Sequence, residues 1–101
     1  MITIIKDGDN IHITGHSLPD VCSAVSSVMY TSMNLLIKYA EESFDFEDNT
    51  TFDFVKIKIK SHDRFIDMII DNMMDMFKDI EDDSPNNVKI VIYPIDTTKF
   101  N

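Results

Sequence analysis

The spacing of apolar residues changes abruptly near residue 15, and this change constrains the fold more than any other feature of the chain. Residues 10–14 alternate between polar and apolar side chains, which is the two-residue period of a half-buried strand. From residue 21 onward, valines recur at the spacing of one face of a helix. The sequence therefore predicts a strand that ends at His16 and a helix whose first turn contains Cys22, with Asp20 as the helix N-cap.

The only cysteine of the chain lies at this junction. A thiol in the first turn of a helix faces unpaired N–H groups and the positive end of the helix dipole, and both favour the thiolate. His16 precedes Cys22 by six residues, and a neutral imidazole beside the thiol could accept its proton. A lone cysteine is more often buried and unreactive. The helix start and the histidine add weight to a catalytic role for this cysteine, without excluding the inert one.

A short motif spans the junction. The pair Gly15-His16 is followed, after a brief loop, by the run Val21-Cys22-Ser23-Ala24-Val25-Ser26. This motif resembles that of the ribosomal-processing cysteine proteases of bacteria, and the order of predicted elements agrees over nearly the whole chain. The resemblance implies a catalytic dyad with His16 as base and Cys22 as nucleophile. It also implies that Ser26 matches a family serine one helical turn from the cysteine.

The resemblance implies a substrate as well. The family removes a short N-terminal extension from a protein of the large ribosomal subunit, cutting after an aromatic residue in an apolar stretch that basic residues follow. The expected partner is therefore a protein with an apolar and then a basic segment. The family members are homodimers, and the resemblance implies the same here. No cofactor is expected.

The loop between histidine and cysteine departs from the family pattern. Family members usually have a longer loop that contains glycine, whereas only residues 17–21 separate the two side chains here, and none is glycine. The family's acidic residue stands three positions before the cysteine, but here Asp20 stands two before it and Pro19 takes that place. We expect Asp20 to cap the helix rather than orient His16. Asp20, Ser23 and Ser26 are the candidates for supporting the site or contacting substrate.

Composition limits the class of protein. The 101 residues form one predicted domain, residues 1–101, and a net charge of −9 argues against a nucleic-acid partner. The charge suits a basic substrate, although solubility alone is the simpler explanation. The chain contains no run of about 18 apolar residues, so no membrane span is predicted. No secretory signal sequence is visible either. A single cysteine fits a reducing cytoplasm. The histidines and cysteine lack the spacings of a metal site.

Strand and helix patterns follow one another in the order ββαββαβ. Strands are predicted over residues 2–6, 10–14, 43–47, 51–60 and 88–93, and helices from residue 21 to 41 or 42 and over 62–81. Ser61 is the predicted cap of the second helix. The simplest fold is α+β, with two layers and both helices on one face of a mostly antiparallel sheet. The continuous apolar run of the last strand predicts an inner position in that sheet.

The second predicted helix is apolar over a wide band. So wide a band is typical of a helix that serves both the core and an oligomer face. We therefore expect a homodimer that buries part of Met68, Met73 or Met76.

Two other functions remain compatible with the sequence. One is a non-catalytic binding or assembly module on the same fold, and the short loop favours it. The other is a divergent protease that acts on a different protein, for example a viral assembly protein.

Overall fold

The structure, a computed structural model, describes residues 1–49 and 53–93. Its elements follow the predicted order. They are β1 (Ile2–Asp7), β2 (Asn10–Thr14), α1 (Pro19–Ala40), a 3₁₀ helix (Glu41–Ser43), β3 (Phe44–Asn49), β4 (Phe54–Ile59), α2 (Arg64–Asp83) and β5 (Val88–Tyr93). Residues 51–52 of the predicted fourth strand lie outside the described residues.

The described strands form one mixed sheet in the order β3-β4-β2-β1-β5. Neighbouring strands are antiparallel except β1 and β5, which are parallel. The predicted α+β class with a mostly antiparallel sheet is therefore confirmed. The β1–β2 hairpin turns through Gly8, whose φ of 56° is a conformation that glycine adopts without steric cost.

The sheet register collects the aliphatic side chains on one face. Ile4 pairs with Ile13, which in turn pairs with Val55 on the next strand, and all three are buried. The two helices add their own buried residues to this core: Val21, Val25, Val28, Met29, Met33 and Leu36 from α1, and Ile66, Ile70, Met73, Met74 and Phe77 from α2. The valine spacing that predicted α1 therefore marks the face that α1 buries.

The prediction of an inner position for β5 is wrong, because β5 lies at an edge of the described sheet, beside β1. Val88 is buried at its start, but Ile92 and Tyr93 are 53% and 50% exposed. A continuous apolar run does not distinguish a strand covered on both faces from an edge strand that leaves apolar side chains open. The predicted dimer contact also needs correction at Met73, which is fully buried in the core.

The second helix begins two residues later than predicted. Its N-cap is Asp63 rather than Ser61, since the Asp63 carboxylate accepts hydrogen bonds from the N–H groups of Phe65 and Ile66 at 2.9 and 2.8 Å. Within the described residues, neither helix is long and apolar enough to cross a bilayer.

Candidate active site

A tight turn follows β2, which ends at Thr14, where the alternation of residues 10–14 also ends, and does not extend to His16. Gly15 has a φ of 85°, and a Cβ at this position would overlap the carbonyl oxygen of Met1. Its N–H donates to the carbonyl of Asp53 at 3.2 Å. A residue with a side chain therefore does not fit here, and the glycine lets the chain turn from the strand to His16.

The first turn of α1 positions the cysteine. The helix starts at Pro19, a favoured first residue because its fixed φ is helical and its missing N–H has no partner to lose. Asp20 therefore lies inside the helix and is not the N-cap; its Oδ1 accepts from the N–H of Val21 at 3.0 Å. The N–H of Cys22 donates to the carbonyl of Leu18 at 2.9 Å. These two N–H groups therefore already have hydrogen-bond acceptors within the turn.

The thiol rests against the backbone of the preceding loop. The N–H of Ser17 donates to Cys22 Sγ at 3.2 Å, and the thiol contacts the carbonyl of Ser17 at 3.4 Å. The hydroxyl of Ser17 in turn donates to Asn87 Oδ1 at 2.9 Å, just before β5. The half-buried cysteine is thus held by a loop that is itself anchored to a distant part of the chain.

The imidazole of His16 lies beside a carboxylate that the motif did not reveal. Its Nδ1 is 3.3 Å from Oδ2 of Asp53, and the two side chains are 77% and 49% exposed. The carbonyl of His16 accepts from the N-terminal ammonium of Met1 at 2.9 Å. In the structure as described, the partner of the ring is Asp53, whereas the thiol is bound to Ser17.

These side chains border a groove of about 210 Å³ between the sheet and the start of α1. Its lining has an apolar part and a polar part. The apolar lining residues are Ile2, Ile13, Val25, Met29 and Val55, the polar ones are His16, Cys22, Ser26, Tyr30, Asp48 and Asp53, and Gly15 also lines the groove. Such a groove can receive an apolar side chain next to a nucleophile.

The structure gathers some of the predicted site residues and leaves others apart. His16, Cys22 and Ser26 line the groove. Asp20 and Ser23 are exposed and do not line it. Across residues 1–49 and 53–93, no group of three or more His, Cys, Asp or Glu side chains is placed to hold a metal ion.

Sequence reasoning missed three polar residues of the groove. The hydroxyl of Tyr30 donates to Asp48, and this hydrogen bond raises the pKa of the tyrosine. Asp48 lies near the end of β3, and Asp53 is the residue before β4. They reach the site because the start of β4 pairs with the end of β2. No local motif carries that information.

The chain has relatives among known proteins. The family model of the cysteine protease Prp matches residues 1–89. No curated protein matches the chain significantly.

Solved structures share the fold. The essential ribosomal processing protease Prp from S. aureus, with a covalently linked product peptide, is 21% identical with a TM-score of 0.80, over 91% of this chain and 99% of that chain. The structure of the S. aureus protease in complex with a substrate peptide is 17% identical with a TM-score of 0.79. This match covers 90% of this chain and 96% of that chain. SMU.848 from Streptococcus mutans is 19% identical with a TM-score of 0.73, and the match covers 90% of each chain.

Proposed function

The chain belongs to the Prp family of cysteine proteases, and from this premise we propose that it is an endopeptidase with His16 and Cys22 as its catalytic dyad. One observation carries the proposal: the only cysteine, in the first turn of α1, and the histidine of the preceding loop line the same groove. Asp20 and Ser23 have no direct part in the proposed chemistry. Ser26 is proposed to contact the substrate, because it lines the groove one turn along the helix.

The proposed reaction begins when His16 takes the proton of the Cys22 thiol. The thiolate attacks the scissile carbonyl carbon, a C–S bond forms, and the carbonyl electron pair moves to oxygen. As the oxyanion collapses, the C–N bond breaks and the histidine returns its proton to the leaving amine. Water then hydrolyses the thioester, which releases the new carboxyl group and restores the thiol. Before the first step, the thiol must leave the Ser17 carbonyl.

We propose that the substrate is the N-terminal extension of a large-subunit ribosomal protein. The apolar side chains of the groove suit the aromatic residue before the cleaved bond, and the Asp48 carboxylate suits a basic residue beyond it. The net charge of −9 adds long-range attraction for such a segment. The S. aureus relative is a ribosomal processing protease, and the same substrate class is the proposal here.

The test is cleavage of a peptide that contains this extension, followed by mass spectrometry. Wild type should cut it at one bond, and Cys22→Ala should lower the rate by about 10⁴-fold or more, because the nucleophile is lost. His16→Ala should also be severely slowed. His12→Ala is the matched control, since this histidine lies on the sheet face that carries no helix, beside Phe54, and should retain activity.

The same variants separate the alternatives. If wild type leaves this peptide intact but Cys22 is alkylated rapidly in a manner that depends on His16, the substrate is wrong and the protease assignment holds. If wild type neither cuts nor reacts, and binds the peptide equally with Cys22 or alanine, the chain is a binding module and the dyad is refuted.

We propose, finally, that the enzyme acts in the cytoplasm as a homodimer and binds neither nucleic acid nor membrane. The α2 surface is the candidate interface, since Met68 and Met76 are 57% and 43% exposed. Light scattering at rising concentration tests this point, and a constant monomer mass would refute the dimer.

A further inference from the structure

We propose that Asp53 is the positioning residue for His16, and so the third member of the site. The inference rests on the proposed dyad and goes beyond it, because Asp53 is far from the motif in sequence. Its Oδ2 lies 3.3 Å from Nδ1 of the imidazole. A carboxylate at Nδ1 favours the tautomer with its proton on that nitrogen. The other ring nitrogen is then left to accept the thiol proton.

Two contacts tie Asp53 to the histidine segment. One is the side-chain contact to His16, and the other is the hydrogen bond from the N–H of Gly15 to the carbonyl of Asp53. Asp53 also has a φ of 49°, which makes it the only non-glycine residue with positive φ in the described chain. Aspartate and asparagine tolerate this conformation better than most residues. The backbone thus holds the carboxylate beside the residue that it would orient.

The histidine needs such a partner because its side chain is 77% exposed. An exposed ring with no partner rotates freely, and each misplaced rotamer removes the base from the thiol. The other titratable groups of the groove are already engaged, since the thiol is bound to Ser17 and Asp48 accepts from Tyr30. A distance of 3.3 Å is loose for a hydrogen bond, and catalytic contacts often tighten only when substrate binds.

The experiment compares two replacements of Asp53 with a charge-matched control. Asp53→Asn keeps size and backbone preference and removes the charge, while Asp53→Gly keeps the positive φ and removes the side chain. Asp45→Asn removes the same charge from the sheet face opposite the helices, where Asp45 pairs with Lys60 at 3.2 Å. For each variant we would measure kcat and KM on the peptide and the Tm. The rate at which iodoacetamide alkylates the only cysteine would be followed from pH 5 to 9.

Asp53→Asn and Asp53→Gly should both lower kcat about tenfold or more, since an amide does not fix the imidazole tautomer. Both should also shift the pH profile of alkylation in the direction that His16→Ala shifts it. Asp45→Asn should keep the wild-type kcat and pH profile. Both Asp53 variants should keep a Tm near that of wild type, because Asn and Gly both adopt the positive φ of residue 53 readily.

Three results would overturn the inference, and they are distinguishable. If His16→Ala changes alkylation but both Asp53 variants keep the wild-type kcat and pH profile, the dyad stands and Asp53 does not position it. If His16→Ala leaves the alkylation profile unchanged, the dyad fails, and the role of Asp53 fails with it. An equal loss in Asp45→Asn would assign the effect to charge alone and would also refute positioning.

Discussion

Gly15 should be the least replaceable residue of the site, and Gly8 provides a matched control. Both glycines have positive φ, 85° and 56°, so an alanine at either position costs about 1–2 kcal/mol for the left-handed backbone. A Cβ at Gly8 has no atom within 4 Å. At Gly15 it overlaps the carbonyl oxygen of Met1, and relieving such an overlap costs about 1–3 kcal/mol more.

The overlap at Gly15 cannot be relieved cheaply. The Met1 carbonyl belongs to the same peptide group as the N–H of Ile2, which donates to the carbonyl of Asn87 at 2.8 Å. A shift of the oxygen therefore strains the hydrogen bond that begins the β1–β5 pairing. The extra cost of at least ~1 kcal/mol corresponds to about 4–8 °C for a domain of this size.

Circular dichroism during heating measures the difference. Gly8→Ala should lower the Tm moderately, and Gly15→Ala should melt below it by about 4 °C or more. Gly15→Ala should also slow alkylation of Cys22 relative to Gly8→Ala if His16 serves as the base, since the histidine is the next residue. Equal melting temperatures for the two variants would refute the steric argument.

Two further predictions concern stability. The ring of His62 hydrogen-bonds to Asp67 and Asp9 at 2.6 and 2.7 Å, and these contacts raise the pKa of the histidine. The stability that the charged histidine contributes is therefore fully present below its ordinary pKa and is lost as pH rises through the raised pKa. The Tm deficit of His62→Gln should accordingly be larger at pH 5.5 than at pH 9, and a deficit independent of pH would contradict this. Phe77→Ala should cost about 3–5 kcal/mol in chemical denaturation because Phe77 is fully buried, whereas Phe65→Ala on the same helix, 47% exposed, should cost within about 1 kcal/mol; similar losses would contradict the assigned core.

The sequence predicted those parts of the fold that depend on local period. The spacing of apolar residues predicted both helices and five strands in the right order, because elements of both kinds bury one face in a single core. Helix starts were less accurate, since Asp20 and Ser61 are good N-caps in composition while Leu18 and Asp63 hold the cap positions in the structure. Several polar residues compete near each start, and tertiary contacts select one.

The sequence could not predict which strands become neighbours. The position of β5 depends on its parallel pairing with β1, a contact between residues that are more than eighty positions apart. For the same reason the motif could not reveal Asp53, because the position of Asp53 beside His16 follows from the pairing of Thr14 with Phe54. Local chemistry thus indicated the histidine and cysteine, and only topology brings the carboxylate to them.

The loop that carries His16 is fixed from outside itself, and the sheet order explains how. The end of β2 pairs with the start of β1 on one side and with the start of β4 on the other, and β5 begins beside β1. Three strand starts therefore surround the loop. The residue just before each of these strands supplies an anchor: Met1 binds the His16 carbonyl, Asp53 binds Gly15, and Asn87 binds Ser17. A loop held at these three points needs neither greater length nor a glycine between His16 and Cys22 to stay in place. The antiparallel pairing of β2 with both neighbours thus accounts for a site built on so short a connection.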